Sequence, residues 1–425
     1  MARATAAAGL VAGREAIAWA ERQMPVLRKV GDRLEEGERL RDQRVGVCLH
    51  VTAETGALVR ALTRGGAEVD LVPSNPLSVH AEVATALAAE PSVTVHLAEG
   101  TPASHERALA AVAERAPGIV VDDGADLARV LHATGHAATV AGAMEGTTTG
   151  VLRLRSLAER GDLRYPVLAV NDTPIRHLFD NRLGTGQSVL DGLLRTTNIL
   201  LAGSRVAIFG YGACGRGIAL RAHGLGATTT VCEVDPIRAL EARMDGHDVV
   251  PGLEAAAKAD VIITATGAID VLGPEHFAVL RDGAVLANAG HFDVEIDVRA
   301  LAASASARRT VRPLVEEFDV GDRSVVLVAG GRVINLAAAD GHPAGVMDLL
   351  FAGQAVAAAW LAEHADGLGN EVHRVPDAID ADLARLALEA QGVRIDELSD
   401  HQRRYITSWA PMADAATAPP GSFDR

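Results

Sequence analysis

Short runs of β-branched and other apolar residues alternate along the chain with longer, alanine-rich stretches that have the composition of helices. Arg44–Leu49 has the pattern of a buried strand, and residues 68–72 and 118–121 share it. The segment 50–65, which follows the first run, is predicted to be a helix. Strands that alternate with helices indicate βαβ units, so this part of the chain is predicted to build a parallel sheet.

A second series of predicted strands begins near residue 204. Its members are Arg205–Phe209, Thr228–Cys232, residues 261–266 and Ala284–Asn288. A helix is predicted after the first of them and ends at Gly224. Because two domains are usual for a chain of 425 residues, we interpret the two series as two α/β domains.

Polar residues stand where the predicted strands of the first series end. His50 follows the first strand, and Asp122 and Asp123 follow the third. The carboxyl ends of parallel strands are where such folds bind ligands, so these three residues are candidate site residues. A histidine at a strand end is also often a helix cap or a core residue, and this alternative stays open here.

The sequence GYGACG, residues 210–215, follows a predicted strand and opens a predicted helix. Glu233 ends the next strand about 20 residues later, which completes a dinucleotide-binding fingerprint. Gly210 permits the tight turn, Gly212 lets the backbone approach a pyrophosphate, and Gly215 allows close packing of helix on strand. Glu233 can accept both hydroxyls of the adenosine ribose and would repel a 2′-phosphate, so NAD is predicted rather than NADP.

Charge and cysteine content exclude several classes of protein. The chain has 40 basic and 55 acidic side chains and a net formal charge of −15, which argues against nucleic acid or an anionic membrane as the main partner. Cys48, Cys214 and Cys232 form no CxxC pair, so neither a disulfide framework nor a zinc ribbon is predicted, and no metal site is expected. The first 27 residues lack the pattern of a signal peptide, and no apolar run is expected to span a bilayer. We therefore predict a cytoplasmic protein.

The basic residues are almost all arginine. Lys29 and Lys258 are the only lysines among the 40 basic side chains. We interpret this bias as the codon preference of a GC-rich genome, without functional meaning for most of the chain. The segment after Ala410 is rich in Pro, Gly, Ser and Ala and is predicted to be a loose terminus.

The segment 171–188, NDTPIRHLFDNRLGTGQS, concentrates Asp, Arg, His and Asn just before the second series of strands. On spacing alone it is best interpreted as a polar linker between domains. Together with six other segments, however, it resembles the S-adenosylhomocysteine hydrolase family. Those segments are LHVTAETG (49–56), VDDGADL (121–127), GTTTGV (146–151), GYGACGRG (210–217), NAGHFDVEID (288–297) and DGHPAGVMD (340–348). The end of the chain, 394–409, resembles the shorter branch of that family and lacks the basic-tyrosine tail of longer members.

The resemblance implies an α/β fold of two Rossmann-like, doubly wound domains. A discontinuous substrate domain would comprise residues 1–182 and the returning segment 343–390, an NAD-binding domain residues 183–342, and a C-terminal tail residues 391–425. The crossing points near Arg182 and Pro343 would be hinges. A homotetramer is also implied.

The family uses tightly bound NAD as an internal catalyst on an adenine nucleoside. It oxidises the ribose 3′-hydroxyl, which acidifies the C4′ proton. Loss of that proton expels the 5′-substituent; water then adds and the ketone is reduced back. The net reaction is redox-neutral, so a hydride cofactor site is expected beside acid–base groups.

Carried over position by position, the resemblance assigns three sets of residues. Catalytic positions are His50 and Asp123 on the 5′ side, Asp180 at the 3′-hydroxyl, Asn181 near the nicotinamide, His291, and Arg176. Substrate-binding positions are Thr52 and Glu54 at the adenine, and Gly146, His177, His342 and Met347. Cofactor-binding positions are Thr147, Thr148, Thr149, Asn181, Gly210, Gly212, Gly215, Glu233, Asn288 and Asn335.

Two positions depart from the family pattern, and both concern the sugar. Arg176 stands where the family has a lysine, and arginine stays charged at any working pH and cannot act as a base. Gly146 stands where the family has a second glutamate, after Glu145. We expect this glycine to leave empty space beside the sugar, with room for an extra group at the anomeric carbon.

Three interpretations follow. The first is a divergent NAD-dependent nucleoside dehydratase whose cycle stops after elimination and ketone reduction and leaves an exocyclic enol ether; an angustmycin-type ketohexose nucleoside would fit both departures. The second is a conventional S-adenosyl-L-homocysteine hydrolase that gives adenosine and homocysteine. The third, a non-catalytic NAD- or nucleoside-binding regulator, is disfavoured because His50, Asp123, Asp180 and His291 are all kept.

Overall fold

The computed structural model describes residues 2–409, with side chains from residue 7 onward. Its strands, in chain order, are β1 Arg44–Leu49, β2 Glu68–Pro73, β3 Val93–Val95, β4 Ile119–Asp122, β5 Gly142–Glu145, β6 Val167–Ala169, β7 Arg205–Phe209, β8 Thr228–Cys232, β9 Asp248–Val249, β10 Val261–Thr264, β11 Ala284–Asn288, β12 Ala307–Arg312, β13 Val315–Val320, β14 Arg323–Val328 and β15 Val372–Arg374. They form two sheets of seven and eight strands.

The α-helices, in chain order, are α1 Ala2–Arg22, α2 Pro25–Glu36, α3 Ala53–Arg64, α4 Ala81–Leu87, α5 Pro102–Glu114, α6 Asp126–Thr134, α7 Thr148–Glu159, α8 Thr185–Thr197, α9 Ala213–Gly224, α10 Pro236–Met244, α11 Gly252–Ala256, α12 Pro274–Phe277, α13 Val298–Ser304, α14 Ile334–Ala337, α15 Ala344–His364, α16 Asp377–Ala390 and α17 Asp400–Thr407. Residues Arg176–Gly184 form a wider π-helical segment that runs directly into α8. Such segments often occur at functional sites.

The first sheet is parallel throughout, in the order β15-β6-β5-β4-β1-β2-β3. The strand order reverses between β1 and β4, which are hydrogen-bonded neighbours. The segments after these two strands therefore lie side by side, with the Asp123 N–H donating to the Cys48 carbonyl. This reversal point is where doubly wound sheets bind ligands.

The second sheet has the order β12-β13-β14-β11-β10-β7-β8-β9. Its strands β7 to β11 and β14 run parallel, with the reversal between β7 and β10, whereas β12 and β13 are antiparallel additions at one edge. The six residues of β12 are all exposed, and Arg308 and Arg309 lie among them. Charged side chains on an edge strand discourage pairing with another chain.

The predicted α/β class with two Rossmann-like domains is confirmed. The predicted strands at Arg44–Leu49, Arg205–Phe209, Thr228–Cys232 and Ala284–Asn288 match the observed bounds. The helix predicted over 50–65 begins only at Ala53, because Thr52 has extended backbone and caps it by accepting from the Thr55 N–H.

Helix α15 returns the chain to the first domain after the second sheet is complete. It packs against α2, α3 and α16, and β15 then pairs with β6. The segment Ala344–Gly367 is long and apolar enough to cross a membrane by length and composition, so the expectation that no run has this length is wrong. Most of its apolar side chains instead belong to the core of the first domain.

The C-terminal part of the chain contributes little to either core. Within residues 391–409, helix α17 has no buried residue, and Trp409 is almost fully exposed. The loose terminus predicted after Ala410 lies outside the described residues.

Candidate active site between the two domains

One large cavity, of about 1160 Å³, opens between the carboxyl ends of the two sheets. Most of the predicted site residues line it: His50, Thr52, Glu54, Asp123, Thr147, Thr148, Thr149, Arg176, His177, Asn181, Gly210, Gly212, Glu233, His291, Asn335, His342 and Met347. Four predicted residues lie behind this wall, namely Gly146, Asp180, Gly215 and Asn288. The fold thus brings together residues that are up to 297 positions apart in the chain.

His50 enters the cavity from the end of β1 with a defined tautomer. Its Nδ1 lies 2.6 Å from the Ser78 hydroxyl, which itself donates to the Asn75 carbonyl at 2.8 Å. Because that hydroxyl has one proton, Nδ1 of His50 must be the donor, which leaves Nε2 as a proton acceptor. Burial lowers the pKa of His50 to about 3, so the ring is neutral in the working range.

Asp123 comes from the end of β4 and is held by its own loop. The next two residues, Gly124 and Ala125, both have positive φ, at 100° and 61°. Their N–H groups donate to the two carboxylate oxygens of Glu145, at 2.9 and 3.0 Å. Burial raises the pKa of Asp123 to about 6, against the opposing effect of the Arg176 cation.

Glu145 is a functional residue that the sequence analysis did not single out. Besides the Asp123 loop, it accepts hydrogen bonds from the N–H and the hydroxyl of Thr147, at 2.8 and 2.7 Å. It is fully buried and joins the loop after β4 to the start of α7. Its position at the end of β5 was the available signal, because the strand-end rule that found Asp123 applies there too.

Asp122, the other candidate at this strand end, turns away from the cavity. It is the last residue of β4 and its Oδ2 accepts from the Ala128 N–H of α6 at 2.9 Å. Burial raises its pKa to about 7. Because side chains alternate along a strand, one of two adjacent aspartates faces the site and the other faces the helix layer.

The expectation of empty space at Gly146 is wrong. A Cβ atom at this position would overlap Oδ1 of Asp123 and would lie 3.3 Å from Nε2 of Gln354. The carboxylate of Asp123 therefore already occupies the space that a side chain at 146 would need. The glycine is required by its neighbour rather than by a larger sugar.

Arg176 and Asp180 form an ion pair, four residues apart, within the π-helical segment. Arg176 lies in the cavity wall, as do Arg182, Arg216 and Arg238, and Asp180 is 1% exposed behind it. The second carboxylate oxygen of Asp180 lies 2.5 Å from Nδ1 of His342. Asp180, the carboxylate expected at the 3′-hydroxyl, thus contacts a guanidinium through one oxygen and an imidazole through the other.

Three of the histidines that line the cavity, His50, His291 and His342, are neutral. Burial, followed by the charge of nearby groups that include Arg176, lowers the pKa of His50 and His342 to about 3 and that of His291 to about 4. Burial also lowers the pKa of Arg176, but an arginine guanidinium stays charged in proteins. The fixed positive charge that faces the three rings is therefore arginine.

The glycine-rich loop after β7 has the geometry that a dinucleotide needs. Gly210 has φ of 97°, and a Cβ there would lie 2.7 Å from the Ala265 carbonyl. Gly215 packs directly on the Gly210 carbonyl, as predicted for close helix–strand contact. Gly212 lines the cavity, and a Cβ added there would have only the Arg238 guanidinium within 4 Å, at 3.7 Å, so a pyrophosphate can approach its backbone.

Glu233 is more constrained than expected. Oε2 accepts from the Tyr211 N–H at 2.6 Å, and Oε1 accepts from the N–H groups of Val234 and Asp235 at 2.7 and 3.0 Å. The carboxylate therefore also fixes the glycine-rich loop. It still lines the cavity and still places a negative charge where a 2′-phosphate would lie.

The other predicted cofactor residues differ in whether their polar groups already have hydrogen-bond partners within the protein. Asn335 lines the cavity and its buried Oδ1 has no hydrogen-bond partner among the described residues, which suits a donor group of a bound cofactor. Thr147 is occupied by capping α7 through the Gly150 N–H, and Thr148 donates to Asn171. A Cβ on Gly267, in the second domain, would lie 3.9 Å from the Thr149 hydroxyl.

The structure gives Asn288 a different part from the predicted cofactor contact. Its amide donates to the carbonyls of Gly290, Phe292 and Gly331, and its oxygen accepts from Thr264 and from the Gly290 N–H. These bonds use its hydrogen-bonding capacity and hold the loop that carries His291. Asn288 therefore positions a site residue from behind the wall.

Fold and site together define a class of protein. Two doubly wound domains face each other across a large cleft, and histidines, carboxylates and Arg176 lie in its wall. Among residues 2–409 no group of three or more His, Cys, Asp and Glu side chains is arranged to hold a metal ion. This is the architecture of an NAD-dependent enzyme with acid–base groups beside the cofactor.

Comparison with known proteins gives the family. The model of the S-adenosyl-L-homocysteine hydrolase family matches residues 6–141, and that of the S-adenosyl-L-homocysteine hydrolase NAD-binding domain matches residues 181–341. Adenosylhomocysteinase from Aquifex aeolicus is 50% identical over 93% of this chain and 96% of its own length. Adenosylhomocysteinase from Archaeoglobus fulgidus is 49% identical over 93% and 98%. S-inosyl-L-homocysteine hydrolase from Methanosarcina acetivorans is 48% identical over 93% and 97%. The chain belongs to the S-adenosyl-L-homocysteine hydrolase family and is an NAD-dependent enzyme.

Proposed function

We propose that this enzyme carries out a redox-neutral elimination on the sugar of a purine nucleoside, in which a 3′-hydroxyl is transiently oxidised and the 5′-substituent is lost. The observation that carries the proposal is the single cavity that joins the dinucleotide loop at Gly210 and Gly212 to His50, Asp123 and Arg176. A dehydrogenase that releases its reduced cofactor would not need acid–base groups on the far side of the sugar. Bound NAD supplies the removal and return of hydride.

The residues of the chain divide the remaining work by position. His50 presents a neutral Nε2 with a free lone pair, and can take a proton from water or from the substrate. Asp123, with its pKa raised to about 6 by burial, can hold a proton near neutral pH and pass it to the leaving group. Arg176 cannot exchange a proton, but its fixed charge stabilises an alkoxide or enolate at the oxidised carbon.

The relatives favour hydrolysis of a nucleosyl-homocysteine thioether as the net reaction. Two of the three relatives above are called adenosylhomocysteinase, and the third is called S-inosyl-L-homocysteine hydrolase at nearly the same identity. Overall similarity at this level therefore leaves adenine and hypoxanthine as alternatives. We propose adenine for this chain, with Thr52 and Glu54 in the cavity wall as the base contacts.

A second candidate is a nucleoside dehydratase that stops after elimination, and Arg176 is the observation that favours it. A base that holds the C4′ proton and returns it is needed to complete hydrolysis, and arginine cannot be that base. The occupied space at Gly146 gives no support to an enlarged sugar. We therefore propose for this candidate a purine nucleoside with a free 5′-hydroxyl, without a further group at the anomeric carbon.

The test is product analysis in heavy water. The protein is incubated with S-adenosyl-L-homocysteine, with S-inosyl-L-homocysteine and with adenosine, and products are weighed by mass spectrometry. Release of homocysteine at a useful rate supports hydrolysis and excludes the dehydratase. Loss of 18 mass units from the nucleoside without release of homocysteine would support the dehydratase and exclude hydrolysis. Absence of C4′ deuterium together with absence of any loss of the 5′-substituent, in every nucleoside tested, would refute the shared elimination step.

Arg176→Lys tests whether this position sets the reaction outcome. We expect the variant to gain thioether hydrolysis by at least about tenfold, because burial lowers the pKa of a lysine, which can then lose its proton. Arg160→Lys, a change at an exposed arginine on α7's C-terminal side, is the matched control and should leave the rate unchanged. Equal hydrolysis by wild type and Arg176→Lys would show that arginine suffices.

A further inference from the structure

A directed chain of hydrogen bonds crosses the junction between the two domains. It runs from Cys214 in the glycine-rich loop, through the Thr185 hydroxyl, to Nε2 of His342, at 3.5 and 3.1 Å. From Nδ1 of His342 it continues to Oδ1 of Asp180 at 2.5 Å, and Asp180 is paired with Arg176. Thr185 and Cys214 were absent from the residues that the sequence analysis selected.

The protonation of each group in this series of hydrogen bonds follows from its neighbours. Asp180 is ion-paired with Arg176, and its carboxylate accepts the hydrogen bond that Nδ1 of His342 donates. Burial lowers the pKa of His342 to about 3, so its Nε2 carries no proton and must accept from Thr185. Burial raises the pKa of Cys214, so the thiol keeps its proton and can donate to the Thr185 oxygen. Every bond then points toward Asp180.

We propose that Thr185 is a positioning residue that fixes the tautomer and orientation of His342 and, through it, the Asp180 carboxylate behind the cavity wall. Without a donor at Nε2, the imidazole can rotate or move its proton to Nε2, and Asp180 then loses its partner. An aspartate that keeps only Arg176 is free to turn toward the guanidinium. The orientation of the sugar-facing arginine changes with it.

Gly184 supplies an independent observation for the same assignment. A Cβ at this position would lie 2.9 Å from Nδ1 and 3.0 Å from Cγ of His342, and 3.1 Å from Val346. The backbone at Gly184 has φ of −64°, which any residue adopts, so the glycine is needed for the ring and not for the turn. The residue just before Thr185 therefore makes room for the same imidazole that Thr185 orients.

This series of hydrogen bonds also connects the two domains. Asp180 and Thr185 lie on the outgoing crossing between domains, His342 lies just before α15 on the return crossing, and Cys214 lies in the nucleotide loop. The first turn of α9 is thus connected to Asp180 through three side chains, those of Cys214, Thr185 and His342. His50 and the loop of Asp123 are instead anchored within the first domain, by Ser78 and Glu145.

Paired substitutions at Thr185 separate a hydroxyl role from a packing role. Valine keeps the shape of threonine and removes the hydroxyl, whereas serine keeps the hydroxyl and removes the methyl. We expect kcat for C4′ deuterium exchange with adenosine to fall about 10- to 100-fold in Thr185→Val, as for other residues that orient a site group, with KM changed less than about twofold. Thr185→Ser should stay within about threefold of wild type, and Gly184→Ala should resemble Thr185→Val.

Crystal structures of the same full-length variants with bound NAD give a readout that does not depend on activity. We expect Thr185→Val to lose the contact between His342 and Asp180 and Thr185→Ser to keep it. Retention of the contact and of the wild-type rate in Thr185→Val would overturn the proposal, as would equal losses in both variants. The rate measurement rests on the proposed function. If the wild-type enzyme neither exchanges the C4′ proton nor removes the 5′-substituent of any nucleoside, that function fails, and the contact in Thr185→Val alone decides the positioning role.

Discussion

Asp123 is the side chain on which chemistry at the 5′ position depends most. It follows β4 at the reversal point of the first sheet, faces the cavity and occupies the space above Gly146. Glu145 holds its loop from behind, and Arg176 provides the nearest fixed charge. Its position is therefore set by Glu145, and its protonation by its burial and by Arg176.

The pH dependence of elimination should report Asp123. The protonated acid is the form that can assist a poor leaving group, and burial raises the pKa of Asp123 to about 6. We expect kcat for loss of a 5′-hydroxyl to be constant below that pH and to fall as pH rises through it, about tenfold per unit. Asp123→Asn should abolish this fall of kcat with pH and lower the rate by about 10²–10⁴-fold. The same fall of kcat with pH in the wild type and in Asp123→Asn would assign the titration to another group.

Gly146→Ala tests whether the glycine serves Asp123. The added methyl needs the position of the Asp123 oxygen, so the carboxylate must move, and we expect kcat to fall about 10- to 100-fold with the fold intact. Gly224→Ala is the control, since nothing lies within 4 Å of its Cβ at the end of α9. Steady-state kinetics and circular dichroism of the two variants provide the check. Full activity of Gly146→Ala would mean that Asp123 does not need this position.

The N-terminus of helix α2 is capped by a side chain that is distant in sequence. Helix α2 begins at Pro25, and its first N–H groups, those of Val26 and Leu27, donate to the two oxygens of Asp348 at 3.0 and 2.7 Å. Asp348 belongs to α15, on the segment that returns from the second domain. A side chain 322 residues away thus replaces the local N-cap, since Met24 makes no side-chain capping bond.

Removal of this long-range cap should destabilise the first domain. Asp348→Ala leaves two buried N–H groups unpaired, and we expect the free energy of unfolding to fall by about 1–2 kcal/mol. Asp348→Asn, which keeps one acceptor oxygen, should lose less. Asp322→Ala, at an exposed turn, is the control and should change stability by less than about 0.5 kcal/mol. Urea unfolding followed by circular dichroism measures the three values; equal values for Asp348→Ala and Asp322→Ala would contradict the capping role.

At the scale of the whole molecule, two sheets with the same strand order face each other so that their reversal points share one cavity. The first sheet contributes His50 and Asp123, and the second contributes Gly210 and Gly212. Arg176 lies between them on the crossing segment. The chemistry of the enzyme is therefore located where neither domain alone is complete.

Assembly is the prediction that belongs to this scale. Helix α17 buries none of its residues within the chain, and Tyr405, Ile406 and Trp409 are exposed at 49%, 64% and 97%. With the tetramer implied by the resemblance, we expect light scattering to give about four times the chain mass of 44.2 kDa. Replacing these three residues by serine should lower the mass, and Leu200→Ser, also at an exposed apolar residue, should not. A monomeric wild-type protein would refute the prediction.

Local patterns in the sequence determined much of the architecture. The alternation of apolar runs and helical stretches located the main parallel strands, because buried parallel strands are short and almost wholly apolar. The glycine spacing located the nucleotide loop, because only glycine fits the turn at Gly210 and the contact at Gly215. The antiparallel strands β12 and β13 escaped prediction because their sequence is rich in charge.

What only the tertiary structure decided are the partnerships between residues far apart. The sequence could not distinguish Asp122 from Asp123, nor show that Asp123 fills the space at Gly146, because both depend on which way a side chain turns at a strand end. It could name His342 and Asp180 but not their bond, nor the Thr185 hydroxyl that directs it. Backbone conformation follows largely from local sequence, whereas burial, protonation and hydrogen-bond direction depend on groups that only the folded chain brings within a few ångströms.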